Sequence, residues 1–313
     1  MNFTRQIKKE VVRGGYSSAC CRIACLSAFL RTSGSILTRG STVGFSFFTE
    51  SSSTAKFFSE LIGSMFSVEG VTLPNKPGAK EKYVCEFVSD SSLGVLVELG
   101  ILIASPDGIG VQMGIDKFLI EAECCKRAYV AGAFLGGGSC TVPTEDGARN
   151  TGYHLEFVFS YYETAHAFSE LLAEFDILAK LIERKNTFVV YVKNNDEIQE
   201  VLTLIGADEC GLTLAETVVR KDFNNKVNRK LNCDLGNISK QIAAAERQIE
   251  AINAIAETVG LSSLKRELKD VCELRLADSL LTLEEMADKL GVTKSCVNHR
   301  MRKIMQIASD IKN

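Results

Sequence analysis

The chain is poor in the residues from which most catalytic and metal sites are built. Only three of its 313 residues are histidines, and none of its eleven cysteines belongs to a CxxC pair. No combination of Ser or Cys with His that would form a nucleophile is evident. We therefore expect no metal and no cofactor, and we interpret the cysteines, including the adjacent pairs at 20–21 and 124–125, as small hydrophobic residues of the core.

Long apolar runs are missing as well. The longest, LGVLVELGILIA (93–104), is interrupted by Glu98 and is shorter than the roughly 20 residues that span a bilayer. The N-terminal segment MNFTRQIKKEVVRGG is polar and lacks the apolar core of a secretory signal. The sequence therefore predicts no membrane partner, a cytoplasmic location and free thiols.

The chain as a whole has no strong excess of positive or negative charge, but its parts do. The formal net charge is −3, yet residues 126–219 carry −7 and residues 220–313 carry +4. Because polyanions bind cationic surfaces, any nucleic acid is expected to contact mainly the C-terminal part.

Two stretches of the chain are similar at an offset of 104 residues. CCRIACLSAFLRTSGSI (20–36) aligns with CCKRAYVAGAFLGGGSC (124–140), and the tetrapeptide FSEL recurs at 58–61 and 168–171. Internal similarity of this kind indicates a duplicated unit.

The spacing of the hydrophobic residues predicts the same order of helices and strands, αββαββα, in both copies. The repeats are placed at 18–104 and 122–208, and their closing helices at 91–103 and 195–206. We expect an α+β fold in which helices cover one face of each antiparallel sheet.

The glycines of AGAFLGGGSC (131–140) end a predicted apolar helix. Gly132 and Gly136 share one face of that helix, and Ala28 and Thr32 occupy the matching positions of the first copy. Small residues at this spacing allow close approach of two helices, so the copies are expected to meet along this face. A phosphate-binding loop is not favoured, because GGGS follows a helix and no GxxxxGK[ST] sequence is nearby.

Two segments, VAGAFLGGGS and LSAFLRTSGS, resemble the LAGLIDADG motif of homing endonucleases. In that family a carboxylate near the end of each motif helix binds the metal ion for strand cleavage. The matching positions here are Ser33 and Gly137, and the other acidic position of the motif corresponds to Arg31 and Leu135. Since magnesium sites need oxygen ligands that usually include a carboxylate, the resemblance implies a nuclease scaffold without catalytic residues.

The whole chain resembles the WhiA-type sporulation transcription regulators, in which an acid-free LAGLIDADG-like domain precedes a helix-turn-helix. The resemblance includes VVRKDFNNKVNRKLNCDLGNISKQIAAAERQI and the C-terminal KSCVNHRMRKI. It implies an N-terminal helical arm (1–17), the duplicated LAGLIDADG-like domain (18–215), a basic helical linker (216–260) and an all-α helix-turn-helix DNA-binding domain (261–313).

The residues after the linker carry local signals of three helices. An apolar face recurs at helical spacing over residues 264–272. Thr282 and Glu285 have the spacing of a capping box, and Gly291 is a C-cap type of residue. A third helix is expected from about Lys294.

The third helix is predicted to bind in the major groove of DNA. The candidate DNA-binding residues are Lys294, Ser295, Asn298, His299, Arg300, Arg302 and Lys303. Asn and Arg read adenine and guanine edges, while Lys and Ser suit base or phosphate contacts. The alternative is the solvated face of a small protein-interaction domain.

A second basic run precedes this domain. It comprises Arg220, Lys221, Lys226, Arg229 and Lys230. These side chains are candidates for contacts to the DNA backbone, and a solvated charged face is the alternative.

These features favour a sequence-specific, nucleoid-associated transcription regulator that binds double-stranded DNA and is not an enzyme. The resemblance connects it with sporulation or cell division. One alternative is an active LAGLIDADG endonuclease that uses displaced carboxylates such as Asp90 or Asp116. Another is a maturase-like splicing cofactor, but the C-terminal domain has no aromatic residue after Phe223 on which single-stranded RNA would stack.

The acidic second copy is expected to bind another regulatory protein instead of DNA. Glu145, Asp146, Glu156 and Glu163 lie near the strands that form a basic saddle in active homing endonucleases. Phosphate repulsion would oppose the docking of DNA there.

Overall fold

The computed structural model describes residues 2–73, 82–106, 108–143 and 152–312. Its contacts divide the chain into two compact units, residues 1–220 and residues 221–313. The first unit contains two mixed helix–sheet repeats, and the second is helical.

The first unit has the predicted duplicated α+β architecture, and the αββαββα order is confirmed in both repeats. Helix α1 (Phe3–Gly14) precedes them. The first repeat comprises α2 (Ala19–Ser33), β1 (Gly34–Arg39), β2 (Thr42–Thr49), α3 (Ser52–Phe66), β3 (Val71–Leu73), β4 (Tyr83–Phe87) and α4 (Ser92–Glu98). A hairpin of β5 (Leu102–Ser105) and β6 (Gly108–Val111) follows. The second repeat comprises α5 (Glu123–Gly137), β7 (Gly138–Thr141), β8 (His154–Phe159), α6 (Tyr162–Ala173), β9 (Lys180–Arg184), β10 (Thr187–Val192) and α7 (Asn195–Leu204).

Each repeat arranges four strands in one antiparallel sheet with the same order, β1-β2-β4-β3 in the first and β7-β8-β10-β9 in the second. The register repeats as well, because Gly34 pairs with Phe47 in the first sheet and Gly138 with Phe157 in the second. Side chains alternate between the faces of a strand, so the odd-numbered residues of β8 are buried and the even-numbered ones are half-buried. Phe168 of α6 covers the buried face, with its ring centroid 4.7 Å from that of Phe157.

Helices α2 and α5 lie side by side at the centre of the unit, as the small-residue spacing predicts. An ideal Cβ on Gly132 would overlap the backbone carbonyl of Cys25, and one on Gly136 would overlap the Thr32 hydroxyl. The two glycines therefore permit a helix contact that alanine would prevent.

The predicted closing helix at 91–103 is wrong in its last part. Helix α4 ends at Glu98, because Gly100 adopts a φ of 61° that terminates the helix, and Ile101 N–H donates back to the Leu96 carbonyl. The following apolar residues form β5 instead. The hairpin is held to α2 by Arg31, which donates to the Gly100 and Gln112 carbonyls at 2.5 and 2.8 Å.

Helix α1 completes the first unit. Phe3, Ile7 and Val11 are buried in its core. The Thr4 hydroxyl occupies the open edge of β7, since it donates to the carbonyl of Cys140 and accepts from its N–H, both at 2.9 Å. Edge strands protected in this way are blocked from pairing with other chains.

Helix α8 (Asp208–Thr258) runs from the first unit into the second. The second unit also contains α9 (Arg266–Ala277), α10 (Leu283–Leu290) and α11 (Lys294–Lys312). Its core combines Ile252 and Ile255 of α8 with Val271, Met286 and Val297 of the three shorter helices.

The burial of α8 does not follow the spacing of its isoleucines. The spacing of Ile238, Ile242, Ile249 and Ile252 predicts a single packed face, but Ile238 and Ile242 are 51% and 43% exposed. Among the described residues, only the C-terminal part of that face belongs to the core formed with α9–α11.

Candidate nucleic-acid interface and degenerate nuclease motif

Helices α10 and α11 form the helix-turn-helix, and the start of α10 matches its sequence signals. Thr282 is the N-cap residue, and its hydroxyl accepts from Glu285 N–H at 3.2 Å while the Glu285 carboxylate accepts from Thr282 N–H at 2.8 Å. The Glu285 carboxylate also accepts from the Thr282 hydroxyl at 2.9 Å, and the two bonds to the carboxylate, first the one from the backbone N–H and then the one from the hydroxyl, lower the pKa of Glu285. Gly291 ends the helix with a φ of 65° and begins the turn into α11.

The capping box makes a first prediction about the stability of the second unit. Thr282→Ala is expected to lower the free energy of unfolding of this unit by about 1 kcal/mol at pH 7, because α10 loses its N-cap acceptor. The Thr282 hydroxyl also donates to the ionised Glu285 carboxylate, and the variant loses this bond as well. Because the bond lowers the pKa of Glu285, its contribution is present above the carboxyl's unfolded pKa and is lost as pH falls through the lowered folded value, so the effect of the substitution is expected to be smaller at pH 3 than at pH 7. Chemical denaturation at pH 7 and pH 3 tests this, with exposed Ser309→Ala as the control. An unchanged transition at pH 7 would contradict it.

The inner face of α11 is packed in the core of the second unit. Val297, Met301 and Ile304 are at most 3% exposed and belong to the same hydrophobic core as Met286 and Ala287 of α10. This packing determines which side of α11 remains available for a ligand.

Six of the seven candidate DNA-binding residues lie on the opposite side of α11. They are Lys294, Ser295, Asn298, His299, Arg302 and Lys303, all exposed except Asn298, which is half-buried. At 100° per residue these positions cover one half of the helix circumference. The structure therefore brings the predicted adenine- and guanine-reading side chains together on one surface, which we call the α11 face.

Arg300 does not belong to the α11 face. Its side chain is only 17% exposed, and its guanidinium lies 3.8 Å from the Glu267 carboxylate of α9. Lys294, at the start of the α11 face, pairs with Glu284 of α10 at 3.1 Å. Both side chains of this ion pair are exposed, so the pair is weak, and Lys294 can exchange Glu284 for a phosphate.

The basic run of α8 presents cations along part of the helix surface. Lys226, Arg229 and Lys230 are exposed and lie within one helical turn of each other, while Lys221 is half-buried. Arg220 is exposed and is the last residue of the first unit.

The C-terminal ends of α2 and α5 carry the two degenerate motif positions. The Ser33 hydroxyl is buried and donates to the Phe29 carbonyl at 2.8 Å, so it satisfies its own helix. Gly137 packs against the strand backbone, where a Cβ would lie 2.6 Å from the Val158 carbonyl oxygen. Arg31 is engaged with the β5–β6 hairpin, and Leu135 is fully buried. None of the four side chains offers a carboxylate to a metal ion.

The two displaced carboxylates considered as alternatives lie elsewhere. Asp90 is exposed in the turn before α4, and Asp116 accepts from Phe118 N–H at 3.0 Å as the cap of a short 3-10 turn. Within the described residues, neither belongs to a group of three or more side chains suited to hold a metal ion.

The outward face of the second sheet is not uniformly basic. Glu156 lies in the second strand of that sheet, and its carboxylate accepts from the Ser139 hydroxyl at 3.1 Å. Glu163 is exposed in the first turn of α6. Glu145 and Asp146 lie outside the described residues.

Sequence reasoning missed the one cluster of potential metal ligands that the described residues contain. Cys20, Cys21, Cys124 and Cys125 meet where α2 and α5 begin. The signal was present in the repeat alignment, which superimposes one cysteine pair on the other, but the local CxxC criterion does not recognise it.

Comparison with known proteins tests the assignment of both units. A family model of the WhiA LAGLIDADG-like domain matches residues 126–224, and one of the WhiA C-terminal HTH domain matches residues 227–308. A probable cell division protein WhiA from Thermoanaerobacter sp. (strain X514) is 38% identical over 319 residues, covering 100% of this chain and 98% of the relative. One from Clostridium perfringens (strain SM101) is 33% identical, with 100% and 99% covered. The chain belongs to the WhiA family.

Two solved WhiA structures share the fold of this chain. Full-length WhiA from Thermotoga maritima matches with a TM-score of 0.58 and 26% identity, covering 99% of both chains. The N-terminal LAGLIDADG domain of a WhiA protein matches 66% of this chain and 90% of that domain, with a TM-score of 0.50 and 23% identity. The WhiA architecture of a LAGLIDADG-like domain followed by a helix-turn-helix is thus confirmed here.

The WhiA relatives are named as cell division proteins and not as enzymes. None of the helices within the described ranges combines the length and the apolar composition that a bilayer crossing requires.

Proposed function

We propose that this chain is a sequence-specific DNA-binding transcription regulator that acts in cell division or sporulation. The observation that carries the proposal is the α11 face, where six polar or cationic side chains project from a helix whose opposite side is fixed in the core. An α-helix with Asn and Arg on its outer side fits the major groove and its donor–acceptor code. The cell division names of the relatives support the cellular role.

Selection of bound sequences from random duplex DNA by the full chain tests this function. We expect enrichment of a defined motif and an affinity that falls steeply as salt rises, because lysine and arginine displace counterions from phosphates. A selected pool that stays random, with binding independent of salt, would contradict the proposal.

We propose further that the LAGLIDADG-like domain has lost nuclease activity. Ser33 and Gly137 replace the motif carboxylates, and Asp116 is engaged in a local cap. Supercoiled plasmid incubated with the full chain and Mg²⁺ or Mn²⁺ is therefore expected to remain uncut. Metal-dependent nicking that disappears in Asp90→Asn or Asp116→Asn would show that displaced carboxylates still catalyse cleavage.

We also infer that the acidic second repeat binds a regulatory protein instead of DNA. Residues 126–219 carry a net charge of −7, which opposes the approach of phosphates. In a full-chain variant with Lys226, Arg229, Asn298, Arg302 and Lys303 all changed to alanine, DNA binding is expected to fall to background. Tight, salt-sensitive binding that survives these changes, and that persists when Lys230, Lys294 and His299 are also changed to alanine, would indicate a DNA contact in the first unit.

A further inference from the structure

Four cysteines occupy equivalent places in the two repeats. Cys20 and Cys21 are the second and third residues of α2, and Cys124 and Cys125 are the second and third residues of α5. In each pair the first thiol is exposed and the second is buried. The duplication therefore places two identical half-sites at the ends of two neighbouring helices.

The four sulfur atoms are close enough to share one ion. All Sγ atoms lie within 4.8 Å of one another. In a tetrahedral tetrathiolate zinc site the Zn–S bond of about 2.3 Å separates the sulfurs by about 3.8 Å. Rotation about the Cα–Cβ bond moves each Sγ, so changes of side-chain torsion can bring the four sulfurs closer to tetrahedral separations. An iron–sulfur cluster, with inorganic sulfide between its irons, would need wider separation.

The surroundings of the cluster favour negative charge. The N-cap residues Ser18 and Ala122 make no side-chain cap hydrogen bond. The backbone N–H groups in the first turn of each helix point toward its N-terminal end, where the four sulfurs lie, and no cap side chain accepts from them. Two helix N-termini stabilise thiolates and the net charge of −2 that four thiolates leave around a divalent ion.

We propose that Cys20, Cys21, Cys124 and Cys125 form a structural tetrathiolate site for one zinc ion, which joins the two repeats at the N-terminal ends of α2 and α5. Each repeat contributes half of the ligands, and the pairs are 104 residues apart in the sequence. This separation explains why the spacing of the cysteines alone predicts no metal. The site lies in the first unit, and the proposal is independent of DNA binding by α11.

Metal analysis of the full chain tests the proposal directly. Protein produced with zinc in the medium and purified without chelator is expected to contain one zinc ion per chain. The double variant Cys20→Ser/Cys124→Ser changes only the exposed thiols and is expected to lose that zinc. Cys233→Ser/Cys296→Ser, which removes thiols outside the cluster, is the matched control and is expected to retain it. Zinc at background level in the wild type, zinc retained in the first variant, or iron in its place would overturn the proposal.

Two further measurements keep the proposal testable if the variant folds poorly. Apo wild-type protein titrated with Co²⁺ is expected to develop the visible bands of tetrahedral cobalt and sulfur-to-cobalt charge transfer in the near ultraviolet, and zinc is expected to remove both. Thiol titration in denaturant with chelator is expected to count all eleven cysteines. A count of nine or seven would show that the cluster is a disulfide site, and octahedral cobalt spectra would exclude the sulfur ligands.

The zinc ion is also expected to stabilise the first unit. Binding to the folded chain alone raises stability by mass action, so a zinc chelator should lower the thermal midpoint of the wild type and of the Cys233→Ser/Cys296→Ser control by several degrees. The same chelator should leave the midpoint of Cys20→Ser/Cys124→Ser unchanged. An equal shift in all three proteins would contradict a role for the cluster.

Discussion

Arg302→Ala in the full chain is expected to weaken binding to the selected DNA motif by about 5- to 150-fold, with little change in binding to unrelated duplex. Arg302 is exposed near the middle of the α11 face, and a guanidinium in the major groove donates two hydrogen bonds to one guanine. Removing it leaves the base edge without its partner, so the loss appears mainly in discrimination. Asn298→Ala is expected to act similarly at an adenine. Fluorescence anisotropy against the motif and a scrambled duplex measures both losses.

The same helix offers two controls for this prediction. Arg300→Ala removes a guanidinium of the same type, but that group faces Glu267 and is expected to leave the affinity for the motif nearly unchanged. Lys303→Ala is expected to weaken binding to both duplexes alike and to reduce the slope of log affinity against log salt by about 1, as loss of a phosphate contact does. If Arg300→Ala costs more affinity than Arg302→Ala, the orientation assigned to α11 in DNA is wrong.

The helix-turn-helix was predictable because its signals are local. Thr282, Glu285 and Gly291 act within one helix, through hydrogen bonds that span three residues and a backbone angle that glycine tolerates. The order of helices and strands within each repeat was also predictable, because the same pattern of hydrophobic residues occurs twice in the sequence. The resemblance to WhiA identified the first unit as a LAGLIDADG-like domain and the second as a WhiA helix-turn-helix domain. The spacing of residues in this sequence does not by itself make that identification.

Features that depend on distant residues were not predictable from periodicity. The β5–β6 hairpin has an apolar sequence that continues the pattern of α4, and its conformation depends on Gly100 and on Arg31, a residue about 70 positions earlier. The cysteine cluster unites two helices whose cysteine pairs are 104 residues apart in the sequence. Patterns along one element do not contain the positions of such partners.

Gly132→Ala is expected to have the largest effect on stability of any single change considered, lowering the free energy of unfolding of the first unit by about 3 kcal/mol or more. The new Cβ would overlap the Cys25 carbonyl, and a backbone atom in a packed helix cannot rotate away. Helices α2 and α5 would have to separate along their whole contact. Gly94→Ala is the matched control, because Gly94 is an exposed helical glycine of the same unit with open space around it. That change is expected to raise stability by about 0.5–1 kcal/mol.

A double-mutant cycle at Gly136, one helical turn later, distinguishes a steric clash with the neighbouring helix from the effect of replacing a helical glycine as such. Gly136→Ala mainly meets the Thr32 hydroxyl, which is a side-chain atom, so Thr32→Ala is expected to recover part of its cost and to give a coupling energy of about 1 kcal/mol or more. Gly132→Ala is expected to gain nothing from Cys25→Ala, since the obstructing atom belongs to the backbone and remains in place. Urea denaturation of the four variants and two doubles measures both cycles. Equal rescue at the two positions, or a Gly132→Ala protein within 0.5 kcal/mol of the wild type, would mean that α2 and α5 do not approach as closely as this structure places them.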